Sequence, residues 1–200
     1  SLVSVGIRRA EIVVGYKQEM IRAAVEQDCC GVNVTFLVNE QFQRGSISSL
    51  WIARTALDDD TIVMDADVLF HPEILRRLVA SPCENALLMD ETVQQTGEEC
   101  MVVVAGGRVI ALTKNMPERY DYAGEGVGFL RIRHADTTHV VSSLRGYIDR
   151  GSWEMEYEDA LRPYFQDVQV GYERIGGLPW TEIDFIEDVR KAELEVLPKL

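Results

Sequence analysis

Three short apolar runs alternate with three stretches of helical periodicity in the first 80 residues, and that order restricts the fold sharply. The runs are Glu11 to Gly15, Val32 to Val38 and Thr61 to Met64, and each reads as a strand. Gln18 to Gln27 carries Met20, Ile21, Ala24 and Val25 at helical spacing. Ser46 to Leu57 puts Leu50, Ile52, Ala53 and Leu57 on one face, with Ser46 as the expected N-cap. Pro72 to Val79 is a helix with proline in its first turn. Strand–helix alternation of this kind builds a parallel, doubly wound sheet, because parallel neighbours need a helical crossover. Ser1 to Ile7 reads as the tail of a helix closed by Gly6.

The second half is patterned differently. Ala86 to Met89, Glu99 to Ala105 and Arg108 to Thr113 read as strands, and Gly106-Gly107 between the last two signals a hairpin. Gly126 to Ile132 is a further strand, followed by helices near His139 to Arg150 and Tyr157 to Gln166. Asp167 to Arg174 is a late strand, and Asp184 to Leu194 is the last helix. With no internal repeat or linker, residues 1–200 are expected to form one α/β domain, three-layer α/β/α around a mostly parallel, mixed sheet.

Composition narrows the function. A net charge of −13 argues against a nucleic-acid backbone as partner, since that needs a basic face. A polyphosphate ligand would need a cation to offset the carboxylates, and carboxylates can hold Mg²⁺. No apolar run approaches the ~20 residues that span a bilayer, so no membrane helix is expected. No basic-then-apolar leader is visible at Ser1, and the chain is expected to be cytoplasmic. Cys29, Cys30, Cys83 and Cys100 form no Cys-x-x-Cys pair and are read as reduced thiols. The three histidines, His71, His134 and His139, are scattered and read as surface residues.

Ligands of open α/β sheets bind at the carboxyl ends of the strands. Asp65 and Asp67 follow the apolar strand Thr61 to Met64, so both carboxylates are candidates for a hard divalent cation. The other reading is an acidic turn leading into the next helix.

The stretch from Val63 to Leu75, with its Asp65-Ala66-Asp67 turn, resembles the metal-binding segment of the sugar-phosphate and alcohol-phosphate nucleotidyltransferases. Asn39 to Arg54, containing Gly45, Ser46 and Ser49, is similar to that family's nucleobase-contacting loop and helix. Gly106 to Lys114, then Ala123 to Gly128, resembles its acceptor-side strands, and Trp180-Thr-Glu-Ile-Asp184 resembles its second metal motif. Each motif is weakly specific alone; four in the family's order are not. The Gly-Glu segment at Glu125, the run Glu156 to Ala160 and the Trp-x-Glu-Ile-Asp motif look most like the cytidylyltransferases acting on phosphocholine or inositol phosphate.

The resemblance implies a nucleotide-diphospho-sugar transferase-like fold and transfer of CMP from CTP to a small alcohol phosphate or sugar phosphate, with pyrophosphate released. It implies Mg²⁺ on Asp67 and Asp184, although Asp184 also suits a helix N-cap. Asn39, Gly45, Ser46, Ser49 and Asp65 would meet the nucleotide, and Lys114 the acceptor phosphate. Glu125, Tyr157, Trp180 and Glu182 would line the acceptor site; for Tyr157 and Trp180 the alternative is plain core packing. The family's opening strand and Gly-rich phosphate loop have no counterpart in these 200 residues. A homodimer remains open. Two other functions compete: a metal-dependent glycosyltransferase using Asp65-x-Asp67, and a non-catalytic regulatory domain of the same fold.

Overall fold

The computed structural model describes residues 1–200 except Cys30, Gln94, Gln95 and Glu98. Two of the early strands, β1 (Arg9–Val14) and β2 (Asn33–Val38), pair in parallel around the crossover helix α1 (Gln18–Gln27). The third, β3 (Thr61–Met64), joins a different ladder. It lies antiparallel to β8 (Tyr122–Ile132), a strand of 11 residues that organises the larger sheet. One edge of β8 receives β6 (Met101–Ala105) along its first half and β3 along its second. The other edge receives β5 (Ala86–Asp90), itself parallel to β9 (Gly171–Arg174). The Gly106-Gly107 hairpin joins β6 to β7 (Arg108–Thr113) as expected. Since β3, β5 and β6 all oppose β8, they run parallel to one another, and β9 with them. Only β7 and β8 run against that direction in this sheet.

Helices cover both faces, and the alternation along β5 shows why. Leu87 and Met89 enter a core with α2 (Ile47–Ala53), α4 (Thr137–Ile148), α5 (Tyr157–Ala160) and α6 (Arg162–Asp167). Ala86 and Leu88 point the other way, into a smaller core with Ile74 and Leu78 of α3 (Pro72–Ala80). A strand buried on both faces reads as a continuous apolar run, and all five residues of β5 are buried. The architecture is therefore three-layer α/β/α around a mixed sheet.

Several local expectations need correction. Leu2–Val5 is a single 3₁₀ turn, ended by Gly6 at φ 89°. The helix expected over Tyr157 to Gln166 breaks at Leu161, because Pro163 has no N–H to continue the ladder. The last helix, α7 (Ile186–Lys191), starts two residues later than expected and runs into a π turn at Ala192–Val196. Asp167 to Arg174 is strand only from Gly171. His71 is half-buried, and its Nδ1 caps α3 by accepting from the Glu73 N–H at 3.2 Å. Cys29, Cys83 and Cys100 are free thiols; Cys30 lies outside the described residues.

Two short strands with no clear pattern of their own, β4 (Val68–Phe70) and β10 (Trp180–Glu182), pair antiparallel in a separate ladder. It sits just beyond β3, where the ligand edge was expected.

A cavity of about 1020 Å³ separates β1 from β3. Among the described residues each strand is paired on one side only, β1 with β2 and β3 with β8. The walls are Ala10, Ile12, Ile62 and Met64 from the strands, with Leu50, Ala53 and Leu57 from the α2 side. Arg9 is ion-paired with Asp58, so the two strands start side by side with this slot between them.

Candidate active site

The β4–β10 ladder sets the geometry. Phe70 faces Trp180, Leu69 faces Thr181 and Val68 faces Glu182. The next step of the ladder is a hydrogen bond from the Ile183 N–H to the Asp67 carbonyl at 2.9 Å. Asp67 and Asp184, 117 positions apart by subtraction of their numbers, are thus neighbours across the end of one ladder. Both are exposed, and neither carboxylate has a hydrogen bond or ion pair among the described residues.

Asp184 is not the helix cap. The Asp188 carboxylate accepts from the N–H groups of Asp184 and Phe185, at 3.1 and 2.9 Å. With that work done by Asp188, the Asp184 side chain is free to hold something else. Glu182 sits between the two aspartates electrically: its pKa is raised by burial first, then by the charges of Asp67 and Asp184.

Asp65 has a different environment. Its N–H donates to the Gly128 carbonyl at 3.0 Å, and the Tyr157 hydroxyl donates toward both of its carboxylate oxygens at 3.1 Å. The carboxylate lies against Gly128, at φ 76°, where a Cβ would stand 2.4 Å from Oδ2. Burial above all, then the charge of Glu158, pushes the Asp65 pKa up to about 7, against the opposing pull of the Tyr157 hydrogen bond. Asp65 and Asp67 therefore do not form one outward-facing pair.

Tyr157 is buried at 7% exposure with its hydroxyl on Asp65, at the end of the cavity that Ser46, Ser49 and Asp65 also line. Its N–H donates to the Ser46 hydroxyl at 2.8 Å, and that hydroxyl donates to Glu156 at 2.5 Å. Ser46 consequently makes no side-chain cap to α2. Gly45 is packed under residues 153–155: its N–H donates to the Trp153 carbonyl at 3.0 Å, and a Cβ would meet the Met155 carbonyl at 2.2 Å. Asn39, 1% exposed, donates to the hydroxyls of Ser48 and Ser49 and accepts from the Gln41 N–H. Its amide is spent on holding the loop, which leaves Ser46 and Ser49 on the wall of the β1–β3 cavity.

On the opposite side, Lys114 follows β7, is exposed, and has no ion pair among the described residues. Its positive charge opposes the raised pKa values of both Glu158 and Glu182. Glu125 lies on β8 opposite Asp90 of β5 and Met101 of β6. Burial first, then the charge of Glu182, pushes Glu125 up to about 7. Trp180 is fixed beside it: its indole N–H donates to Asp90 at 2.8 Å. Asp90 is 5% exposed and also accepts from the N–H and hydroxyl of Thr92.

Sequence reasoning missed Asp90 and Glu158. Asp90 carries the same signal as Asp65, a carboxylate closing a buried apolar strand. Glu158 has one carboxylate oxygen fully buried without a hydrogen-bond partner among the described residues, and burial pushes its pKa up to about 7. No signal in the sequence separates it from its acidic neighbours. The cleft contains none of the histidines, and burial raises the Cys100 thiol far out of its reactive range. Among the described residues no three metal-binding side chains converge. Two free carboxylates without a cage suit a cation that also takes ligand oxygens, the habit of Mg²⁺ at phosphates.

No family model matches the chain. It is 29% identical over 189 residues to the bifunctional IPC transferase and DIPP synthase of Rubrobacter xylanophilus, covering 93% of this chain and 41% of that protein. It is 24% identical over 212 residues to the CMP-5'-(3-aminopropyl)phosphonate synthase of Streptomyces rubellomurinus, covering 98% of this chain and 33% of that protein. The chain thus spans well under half the length of these relatives. Among solved structures, the inositol-1-phosphate CTP transferase of T. maritima superposes with a TM-score of 0.71 at 18% identity, covering 98% of this chain and 81% of that one. The CTP:phosphocholine cytidylyltransferase of Streptococcus pneumoniae gives 0.72 at 21% identity, covering 96% and 80%. At these identities the structures establish the fold, which is nucleotide-diphospho-sugar transferase-like.

Proposed function

We propose that this domain transfers CMP from CTP to a small phosphorylated alcohol and releases pyrophosphate. The observation that carries this reading is the β4–β10 register, whose next step bonds the Ile183 N–H to the Asp67 carbonyl and so supports a shared role for Asp67 and the adjacent Asp184. The names of the relatives, a CMP-phosphonate synthase and an IPC transferase, favour CTP as donor.

In this reading an acceptor phosphate oxygen attacks the α-phosphorus, forming the new P–O bond as the bond to pyrophosphate breaks in line. No protein nucleophile is required; the site has only to place two anions and offset their charge. Asp67 and Asp184 would hold Mg²⁺, which when bound neutralises charge on the reacting phosphates. Lys114 holds the acceptor phosphate as a point charge. Tyr157 and Gly128 keep Asp65 in place under the β3 terminus, and Ser46 ties that point to the start of α2, which carries Ser49.

The phosphates of the donor also need backbone N–H groups and positive charge. The resemblance implies a strand and Gly-rich loop for that purpose. The slot between β1 and β3 supports a place for such a strand, because among the described residues neither strand pairs on the edge that faces it, and Ala10, Ile12, Ile62 and Met64 line it alongside polar residues such as Arg9 and Glu11. Its end at Ser46, Ser49 and Asp65 is where the loop would emerge.

The glycosyltransferase reading loses support, since the Asp65 carboxylate is engaged with the Tyr157 hydroxyl while the Asp67 carboxylate has no hydrogen bond or ion pair among the described residues. The test is pyrophosphate release by the complete protein, with CTP, UTP, ATP and GTP each crossed with phosphocholine, inositol 1-phosphate, aminoethylphosphonate and hexose 1-phosphates. CTP with an alcohol phosphate or phosphonate is the expected pair. UTP with a hexose phosphate would overturn the cytidylyl assignment, and no turnover with any pair would leave the regulatory reading.

A further inference from the structure

We propose that two carboxylates at strand ends, Asp65 and Asp90, are positioning residues: each takes a hydrogen bond from one aromatic donor, and the two bonds fix the chain segments that carry Asp67 and Asp184. Both roles rest on the reading of Asp67 and Asp184 as the holders of the divalent cation.

The two pins are built alike. Asp65 follows β3 and Asp90 ends β5, and these strands pair with β8 on its opposite edges. Asp65 accepts from the Tyr157 hydroxyl at 3.1 Å, and Asp90 accepts from the Trp180 indole N–H at 2.8 Å. Both donors sit on held rings: Tyr157 is buried in the larger core, and Trp180 packs against the smaller one. Neither carboxylate has an ion pair among the described residues, so neutral donors hold both. Every group bonded to Asp90 is a donor, since the N–H and hydroxyl of Thr92 join the indole. An asparagine there would turn its own N–H groups toward one of them.

Each pin holds one half of the proposed metal pair. Asp65 opens the turn that joins β3 to β4. The turn is tied at that end by Tyr157 and by the Gly128 carbonyl, and at the other by the Ile183 N–H on the Asp67 carbonyl. Asp67 is thus carried on a turn anchored twice. Trp180 opens β10, which leads into Asp184. Apart from its ladder with β4, β10 has one hydrogen bond to the larger sheet among the described residues, the indole of Trp180 on Asp90.

Such anchoring matters for a hard cation. Mg²⁺ demands near-ideal geometry at about 2.1 Å, and two exposed carboxylates from separate segments meet that demand only if both segments stand still. Partners behind the ligands supply the stillness, and their loss weakens metal binding without touching a ligand.

The experiment measures Mn²⁺ binding to the complete protein by water-proton relaxation, with no nucleotide present. Tyr157→Phe removes one oxygen and keeps the ring. It should raise the Mn²⁺ dissociation constant about fivefold, the worth of one hydrogen bond. Trp180→Phe should weaken binding by a similar factor, with a larger fall in melting temperature because its ring shrinks; Tyr157→Phe decides the question if that variant fails to fold. Tyr164→Phe is the control. Its fully buried hydroxyl donates to Asn85 at 3.1 Å, before the amino end of β5, so a comparable bond is lost far from the turn. Mn²⁺ affinity should hold there although stability falls. Unchanged affinity in Tyr157→Phe, or an equal loss in Tyr164→Phe, overturns the positioning role while the metal reading stands. Tighter binding in Tyr157→Phe also overturns it, because Asp65 would then be a ligand that the phenol restrains. No Mn²⁺ binding by the unsubstituted protein overturns both.

Discussion

Asp65 offers the sharpest physical test of the site, because its burial makes chain stability depend on pH in an unusual direction. Its pKa is about 7 when folded, against an ordinary value of 3.8. A raised carboxyl pKa means the folded state binds the proton more tightly than the unfolded state. The favourable contribution is complete below the unfolded pKa and is lost as pH rises through the folded one. Most carboxylates that gain partners on folding do the opposite. Between about pH 5.5 and 8 the linkage relation gives a loss of about 2 kcal/mol from Asp65 alone. Glu158, also pushed to about 7, adds a comparable loss, but its charge is one cause of the raised Asp65 pKa and the two do not sum simply. Asp65→Asn isolates the effect: the amide oxygen still accepts from the Tyr157 hydroxyl, and no charge develops. Urea unfolding followed by circular dichroism at several pH values reads the outcome. The difference in stability between Asp65→Asn and the unsubstituted chain should shift by about 2 kcal/mol in favour of the variant from pH 5.5 to 8. Parallel pH profiles would refute the partly buried placement of Asp65 without a compensating positive charge.

Other outcomes follow from the same geometry. Asp67→Asn should abolish most metal-dependent turnover of the complete protein and weaken Mn²⁺ binding measured by water-proton relaxation, while the melting temperature holds because the side chain is exposed. Unchanged Mn²⁺ affinity would remove Asp67 from the metal site. If Lys114 receives the acceptor phosphate as proposed, Lys114→Met should raise KM for the acceptor about tenfold or more and leave KM for CTP nearly unchanged, since the substitution removes a positive charge from the proposed acceptor site. Gly128→Ala should cost about 1–3 kcal/mol by thermal unfolding, because the position has φ 76° and the methyl would collide with the Asp65 carboxylate. Gly45→Ala should destabilise by a similar amount or more, as its neighbour at 2.2 Å is the Met155 backbone carbonyl, which cannot swing away like a side chain.

Period and burial pattern are local properties, and they suffice for the α/β class, the strand–helix order and the edge where ligands are expected. The strand β5 reads as buried because every one of its residues is apolar up to Asp90, and it is. The same patterns put Asp67 and Asp184 at strand ends. How residues far apart meet is not a local property. The three-residue strands β4 and β10 carry too few positions for any periodic signal, yet their pairing is what brings Asp67 to Asp184. Ser46, Asn39 and Gly45 looked like groups for a ligand because serine, asparagine and glycine in a loop suit that role. Only the fold shows their polar atoms committed to Glu156, to Ser48 and Ser49, and to Trp153. Tyr157 likewise turned out to be a buried hydrogen-bond donor to Asp65, because the break at Leu161 and Pro163 sets its short helix against β3's end. Asp65 and Asp67, two residues apart, were indistinguishable as sequence. One became buried and proton-retaining and the other stayed exposed, because Gly128 leaves room for a carboxylate on one side of the turn and the β10 ladder turns the other out to solvent.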